Sequence, residues 1–233
     1  MSSELSASTP LPVPTPLWLR VAAVPVAAVV VLGGLWLVAG QLGPGYYGSI
    51  AFAVGWFVAV SIGIGLVARR APGLRWPLRA TFVAIVVVVG GWSAWTTFTD
   101  TTVNEQIVTG VVASKTGASG ARNAQLAGGA FEGLAHGASG RAALVELPTG
   151  ERKLTFANLD TDNGPDLKVY LVAGPVAGDG DVDDFVDLGR LKGNKGNQQY
   201  SIPEGIDIER YGTVVIWCRA FSVGFAKASL RPS

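Results

Sequence analysis

The sequence predicts three transmembrane α-helices followed by an all-β extracytoplasmic domain, an antiparallel sandwich or barrel-like fold. Three observations carry this. Three long apolar stretches fall before residue 100 of the 233, and short apolar runs broken by turn residues fill the remainder. The charge also divides. Up to residue 99 there are five arginines and one acid, a net +4; residues 100–233 hold 13 basic and 16 acidic residues, a net −3. Neither half carries the clustered basic face that nucleic-acid binding needs, so nucleic acid is not an expected partner, whereas membrane lipid is.

Residues 1–16 read as a cytoplasmic tail, 17–98 as a three-helix membrane anchor, 99–124 as a linker or first strand, and 125–233 as the β domain. The apolar stretches run from about Leu17 to Gly40, Tyr46 to Ala68 and Ala80 to Phe98. Each approaches the ~20 residues that carry a helix across a ~30 Å hydrocarbon core. Trp18, Tyr46, Tyr47, Trp76 and Trp95 lie near their ends, where amphipathic rings prefer to sit. Pro25 is tolerated in a membrane helix. The first loop, Gln41–Gly45, has no charge, and the second, Arg69–Arg79, has four arginines. The positive-inside rule then keeps the second loop and the N-terminus in the cytoplasm and places everything after Phe98 outside, in a multi-pass protein of the cell membrane.

The N-terminal stretch does not read as a cleaved signal: no basic residue precedes Arg20, and the apolar core is too long. No cysteine lies near it to carry a lipid. The three spans contain no His, Asp, Glu or Lys, so they lack the groups of proton relays and ion pathways. Without histidine or methionine in the spans, they also lack the usual haem ligands. Anchoring is the expected role, or pairing with other helices through Gly33, Gly34, Gly63 and Gly65.

Residues 100–124 are rich in Thr, Ser, Gly and Ala, with one apolar run at Ile107–Val112, and read as a mobile tether or a first strand. Beyond them, strands are expected at Arg141–Leu147 and Arg152–Asn158, flanking a Pro148-Thr149-Gly150 turn, and at Asp166–Ala173, after the Asn163-Gly164-Pro165 break. Further strands are expected at Phe185–Leu188, Gln198–Ile202, Thr213–Phe221 and Ala226–Leu230. Some seven short strands at close spacing favour an antiparallel sandwich or barrel.

Cys218, the sole cysteine, lies in the strongest strand signal, Tyr211–Phe221. Alternation places it with Val214, Ile216 and Ala220 on one face; Val215, Trp217, Arg219 and Phe221 point to the other. Both faces are mostly apolar, so a central strand is expected, where burial raises a thiol's pKa and makes it inert. An unpaired thiol outside the membrane is nonetheless unusual. His136, the sole histidine, is its one obvious partner and sits in a glycine-rich, flexible-looking stretch, Gly128–Gly140.

Four ordered motifs carry a resemblance: Asn163-Gly-Pro-Asp-Leu-Lys-Val-Tyr-Leu171, Asp187-Leu-Gly-Arg-Leu-Lys-Gly-Asn-Lys-Gly-Asn-Gln198, Tyr200-Ser-Ile-Pro203, and Tyr211 through Phe221. Together with Phe131 and His136 they resemble the DM-thirteen domain, an electron-transfer module of bacterial surface proteins and animal extracellular proteins. The likeness covers residues 125–232 and leaves out the helices. It implies a β-rich extracytoplasmic module in which Cys218 matches the family's cysteine, a free thiol or haem ligand, and His136 a frequent histidine.

The chemistry stays open between three readings. In the first, Cys218 is a redox group. It would ligate haem, with His136 as co-ligand and without a covalent c-type motif, or cycle through sulfenic acid or a mixed disulfide with an extracytoplasmic redox partner protein. In the second, the domain is a non-catalytic surface ligand-binding or adhesion module, and Cys218 belongs to its core. The third is a thiol transpeptidase, which fits poorly, because the adjacent Arg219 would face away from Cys218. The acidic run Asp179–Asp187 begins like a calcium loop, but Asp184 replaces its glycine and Arg190 its final glutamate. With one His and one Cys, a zinc site would depend on carboxylates, and no metal ligand set is expected. Gly193–Gly196 reads as an anion-binding nest or a solvated loop.

Overall fold

The computed structural model describes residues 15–43, 45–112, 122–180 and 182–233. The tail up to residue 14, linker residues 113–121 and Asp181 of the acidic run lie outside the described residues. Three helices lead the chain: α1 (Leu17–Gly40), α2 (Gly45–Arg70) and α3 (Arg75–Phe98), with a 3-10 turn at Pro72–Leu74 joining the last two. Helix α3 starts five residues before the expected boundary. Pro77 is its third residue, where a missing N–H costs nothing, since the first four helical amides have no partner within the helix. Pro25 does not break α1.

All three helices are long and apolar enough to cross a membrane, and scarcely any of their surface is buried by the protein itself. Val29, Val88 and Phe98 are among many large apolar side chains left exposed. Of the four small residues expected to pair helices, Gly34 lies against the Trp56 ring, whereas Gly33, Gly63 and Gly65 face open space. Arg20, Arg69, Arg70, Arg75 and Arg79 all fall at the end of the bundle where α1 begins, α2 ends and α3 begins. The β domain follows from the other end.

Among the described residues, eleven strands form that domain. In chain order they are β1 (Thr102–Asn104), β2 (Val111–Val112), β3 (Ala124–Gly133), β4 (Ala138–Glu146), β5 (Arg152–Thr161), β6 (Leu167–Val172), β7 (Phe185–Arg190), β8 (Lys195–Ile202), β9 (Thr213–Cys218), β10 (Val223–Ser229) and β11 (Arg231–Pro232). The sheet runs β1-β8-β5-β4-β3-β10-β9-β6-β7, with β2 and β11 also on β3. Strand β3 is the corner: Ala124–Ala130 pair with β4, and Phe131–Gly133 pair with β10. The sheet folds around this corner into a half-barrel. Its concave face is packed by Leu144, Leu154, Phe156, Val169, Ile216 and Phe225, all essentially without exposure.

Three expectations need correction. The glycine-rich stretch is not flexible; it supplies the ends of β3 and β4. Its glycines permit close strand approach: a Cβ on Gly129 would collide with the Ser229 carbonyl, and Gly140 adopts φ +108° at the bulge facing Asn158. The segment after α3 is docked where it is described. It adds β1 to β8 and β2 to β3, and both pairs are parallel, so the sheet is not wholly antiparallel. Strand β9 stops at Cys218 rather than Phe221, which removes Arg219, Ala220 and Phe221 from the alternation. Within the strand the alternation holds. Val214, Ile216 and Cys218 face the main core, while Val215 and Trp217 join Tyr170, Val172 and Val176 in a second cluster.

Candidate functional site around Cys218

Cys218 ends β9, paired across the sheet with Leu167 of β6 and Val223 of β10. The chain reverses immediately beyond it. The Phe221 amide donates to the Cys218 carbonyl at 3.3 Å, and Ser222 takes the left-handed conformation, φ +52°, before β10 begins. Asp166 fixes this turn from the side. Its carbonyl accepts from the Arg219 amide at 3.0 Å, and its carboxylate accepts from Arg219 Nε at 2.7 Å. Two of the motif stretches therefore meet at the cysteine. Arg219 is spent on Asp166 and is not directed at the sulfur.

The thiol itself is fully buried, 0% exposed. Burial pushes its pKa up from 9.0 to about 11, against the opposing pull of backbone hydrogen bonds from Phe221, Asp166 and Ala220. Two influences thus act on the sulfur. An apolar surround favours the neutral thiol, and the neighbouring backbone polar groups favour the thiolate. Burial dominates in the closed arrangement, so the resting group is a protonated thiol.

The turn beside Cys218 rests on the helical bundle. Ser222 Oγ donates to the Gly40 carbonyl at 2.7 Å, and the buried Ser49 Oγ donates to the Phe221 carbonyl at 3.3 Å. A second fastening lies nearby, where Asn163 Nδ2 donates to the Thr99 carbonyl at 2.7 Å. A cleft of about 410 Å3 opens there between Trp92 and Thr96 of α3, Asn163, Leu167, Arg190 and Gly193. Leu167, the cross-strand neighbour of Cys218, lines this cleft; Cys218 does not.

His136 lies in the β3–β4 turn. Its amide and that of Leu134 donate to the Phe225 carbonyl, its ring packs on Phe225 at 4.0 Å between centroids, and Nδ1 bonds the Asp162 carboxylate at 2.8 Å. Phe225 extends in turn to the Gly164–Leu167 corner beside Cys218. Among the described contacts, no hydrogen bond joins imidazole and thiol; the two are connected through the core. Haem ligation by the pair requires Sγ at the wall of a cavity wide enough for the macrocycle. Here Sγ is enclosed by packed strands, so the arrangement does not fit haem.

The remaining candidates are accounted for by the fold. Asp184 bonds Tyr211 and Arg210, and the Tyr211 hydroxyl, then Arg210, holds its carboxyl below the usual range. Asp187 accepts from the Gly189 amide and pairs with Lys168. No group of three or more metal-ligating side chains occurs among the described residues. Two amides of the Gly193–Gly196 loop are turned to protein: Gly193 N–H donates to Gln198 Oε1 and Lys195 N–H to the Thr101 carbonyl. Sequence reasoning missed Asp162 as the partner of His136, and Asp166 as the clamp on the Cys218 turn. The first is 26 positions from its partner with no spacing signal. The second was visible only as part of a turn motif.

No curated protein and no solved structure matches the chain. Residues 130–230, from within β3 to just beyond β10, match the family model described as Electron transfer DM13.

Proposed function

We propose that the protein is a membrane-anchored redox module, with its β domain on the extracytoplasmic side and Cys218 as its redox-active group. The family match supports a redox-related role for the domain. The single observation that supports Cys218 is its place at the very end of a strand, directly under a reversing turn that one side chain, Asp166, fastens through Arg219. Opening the Arg219–Ser222 turn would expose the sulfur and remove the desolvation that keeps it protonated. The thiol would then lose its proton to solvent, and the thiolate would attack one sulfur of a partner protein's disulfide. One S–S bond forms, one breaks, and the partner's leaving sulfur departs as a thiolate that takes up a proton.

The second reading, a surface binding module with Cys218 as core, is favoured by the zero exposure of the residue. One experiment separates the two. The full chain in detergent micelles is mixed with a soluble aromatic disulfide and then unfolded in denaturant as a control. The redox reading expects measurable mixed-disulfide formation on the folded protein, lost in Cys218→Ser and accelerated by Asp166→Asn, which loosens the turn. A thiol that reacts only after unfolding, in both parent and Asp166→Asn, leaves the core reading standing. Haem added to the same samples should give no Soret shift dependent on Cys218.

A further inference from the structure

The apolar bundle carries a groove that the anchoring role does not use. About 480 Å3 in volume, it lies between α1 and α2 and is lined by Ala23, Val30, Gly63, Val67, Leu74 and Leu78 among others. It is closed at one end, where Trp56 crosses to α1 and donates Nε1 to the Val31 carbonyl at 3.0 Å. Its lining reaches the 3-10 turn at the other end, through Leu74. From Ala23 to Val31 a helix rises roughly 12 Å, close to the ~15 Å depth of one leaflet's hydrocarbon. A spanning helix cannot occupy a groove blocked at mid-membrane; a single acyl chain can.

The end at the 3-10 turn is surrounded by charge of one sign. Arg20, Arg69, Arg70, Arg75 and Arg79 are all exposed. Among the described residues none of them forms an ion pair, every ion pair lying in the β domain or the segment leading into it. Arg20 leans over the groove's mouth: its guanidinium comes within 3.3 Å of where a Cβ on Gly73 would stand, next to Leu74. An apolar bore of leaflet depth beneath an unneutralised arginine rim is complementary to an anionic amphiphile. We infer that this groove binds one acyl chain of an anionic phospholipid, with Arg20 and its neighbouring arginines holding the phosphate. The inference rests on the reading that the helices span a bilayer.

The test uses the full chain in detergent micelles, mixed with phosphatidylglycerol or phosphatidylcholine, and counts retained lipid by native mass spectrometry. Phosphatidylglycerol should be retained preferentially, and Arg20→Gln should weaken its retention about fivefold, the effect of one surface arginine. Gly63→Leu should abolish it. A Cβ at Gly63 meets nothing within 4 Å, so the leucine fills the groove without displacing a helix. An unchanged melting transition of the β domain confirms that the variant folds. Equal retention of the two lipids, or retention by Gly63→Leu equal to the parent, overturns the proposal. Recovery of the chain in the soluble fraction without detergent would overturn the membrane reading itself, and the proposal with it.

Discussion

At Cys218 the physical conflict has a measurable consequence. An acid whose folded pKa exceeds its unfolded value stays protonated in the native state while the unfolded chain ionises. Between pH 9 and about 11 the unfolded state therefore holds fewer protons, and stability falls as pH rises. Two pKa units correspond to about 2–3 kcal/mol at the upper end of that window. Tyr170, Tyr200 and Tyr211 are also raised, the first two chiefly by burial and the third by its bond to Asp184, and they act in the same direction. Cys218→Ala isolates the sulfur. Its stability below pH 8 should be lower by about 1–2 kcal/mol for the lost packing, but its decline from pH 9 to 11 should be shallower than the parent's. Chemical denaturation of the full chain across that range measures both, and parallel curves would mean that the thiol ionises as freely folded as unfolded.

Among the elements, the corner between β1 and β8 shows how the chain leaving α3 is fastened. Asn194 is 1% exposed and makes three bonds: Oδ1 accepts from the Thr101 amide at 2.7 Å, and Nδ2 donates to Asp100 and to the Thr161 carbonyl, each at 2.8 Å. Lys195 adds an ion pair to Asp100 at 2.7 Å. Asn194→Ala should cost about 2–3 kcal/mol, because buried partners lose their hydrogen bonds together. It should also free β1, so limited proteolysis ought to cleave within residues 99–112 sooner than in the parent. This corner was hidden in the sequence, where Asn194 sits in a loop motif and residues 100–124 read equally as a tether or a first strand; parallel addition of a three-residue strand leaves no periodicity to read. The helices were legible because their pattern is local: α1 falls at its expected bounds, since twenty-four residues with Arg20 as their one charge allow no other element. Strands β5 and β8 ran three residues further than expected, at Thr161 and Lys195, because their pairing is decided by the partner strand across bulges. The cysteine's face was legible from alternation. The clamp by Asp166 was not, since it joins positions 53 apart.

Across the whole molecule, the turn beside Cys218 and the Asn163 corner both rest on the bundle end opposite the arginines. With the helices spanning a bilayer, as proposed, the domain would stand at one membrane surface with its candidate redox turn towards the bilayer, which would restrict a partner's approach to the edge of the domain. The arginine distribution supports an orientation. Moving Arg69, Arg70, Arg75 and Arg79 through the bilayer centre is disfavoured by about 2.5–3.5 kcal/mol each, so their end should remain cytoplasmic and the β domain should be exported. Protease added to intact cells should then digest residues beyond Phe98, apart from tightly paired β fragments, and leave a protected fragment that contains the three helices. Reversing the charge bias should reverse the outcome: replacing those four arginines by glutamine and adding four lysines to the Gln41–Gly45 loop should protect the β domain in a substantial share of molecules. Full protection of the parent domain in intact cells, with digestion after lysis, would place the domain in the cytoplasm. A reducing compartment would then remove the partner disulfides that the proposed Cys218 chemistry requires.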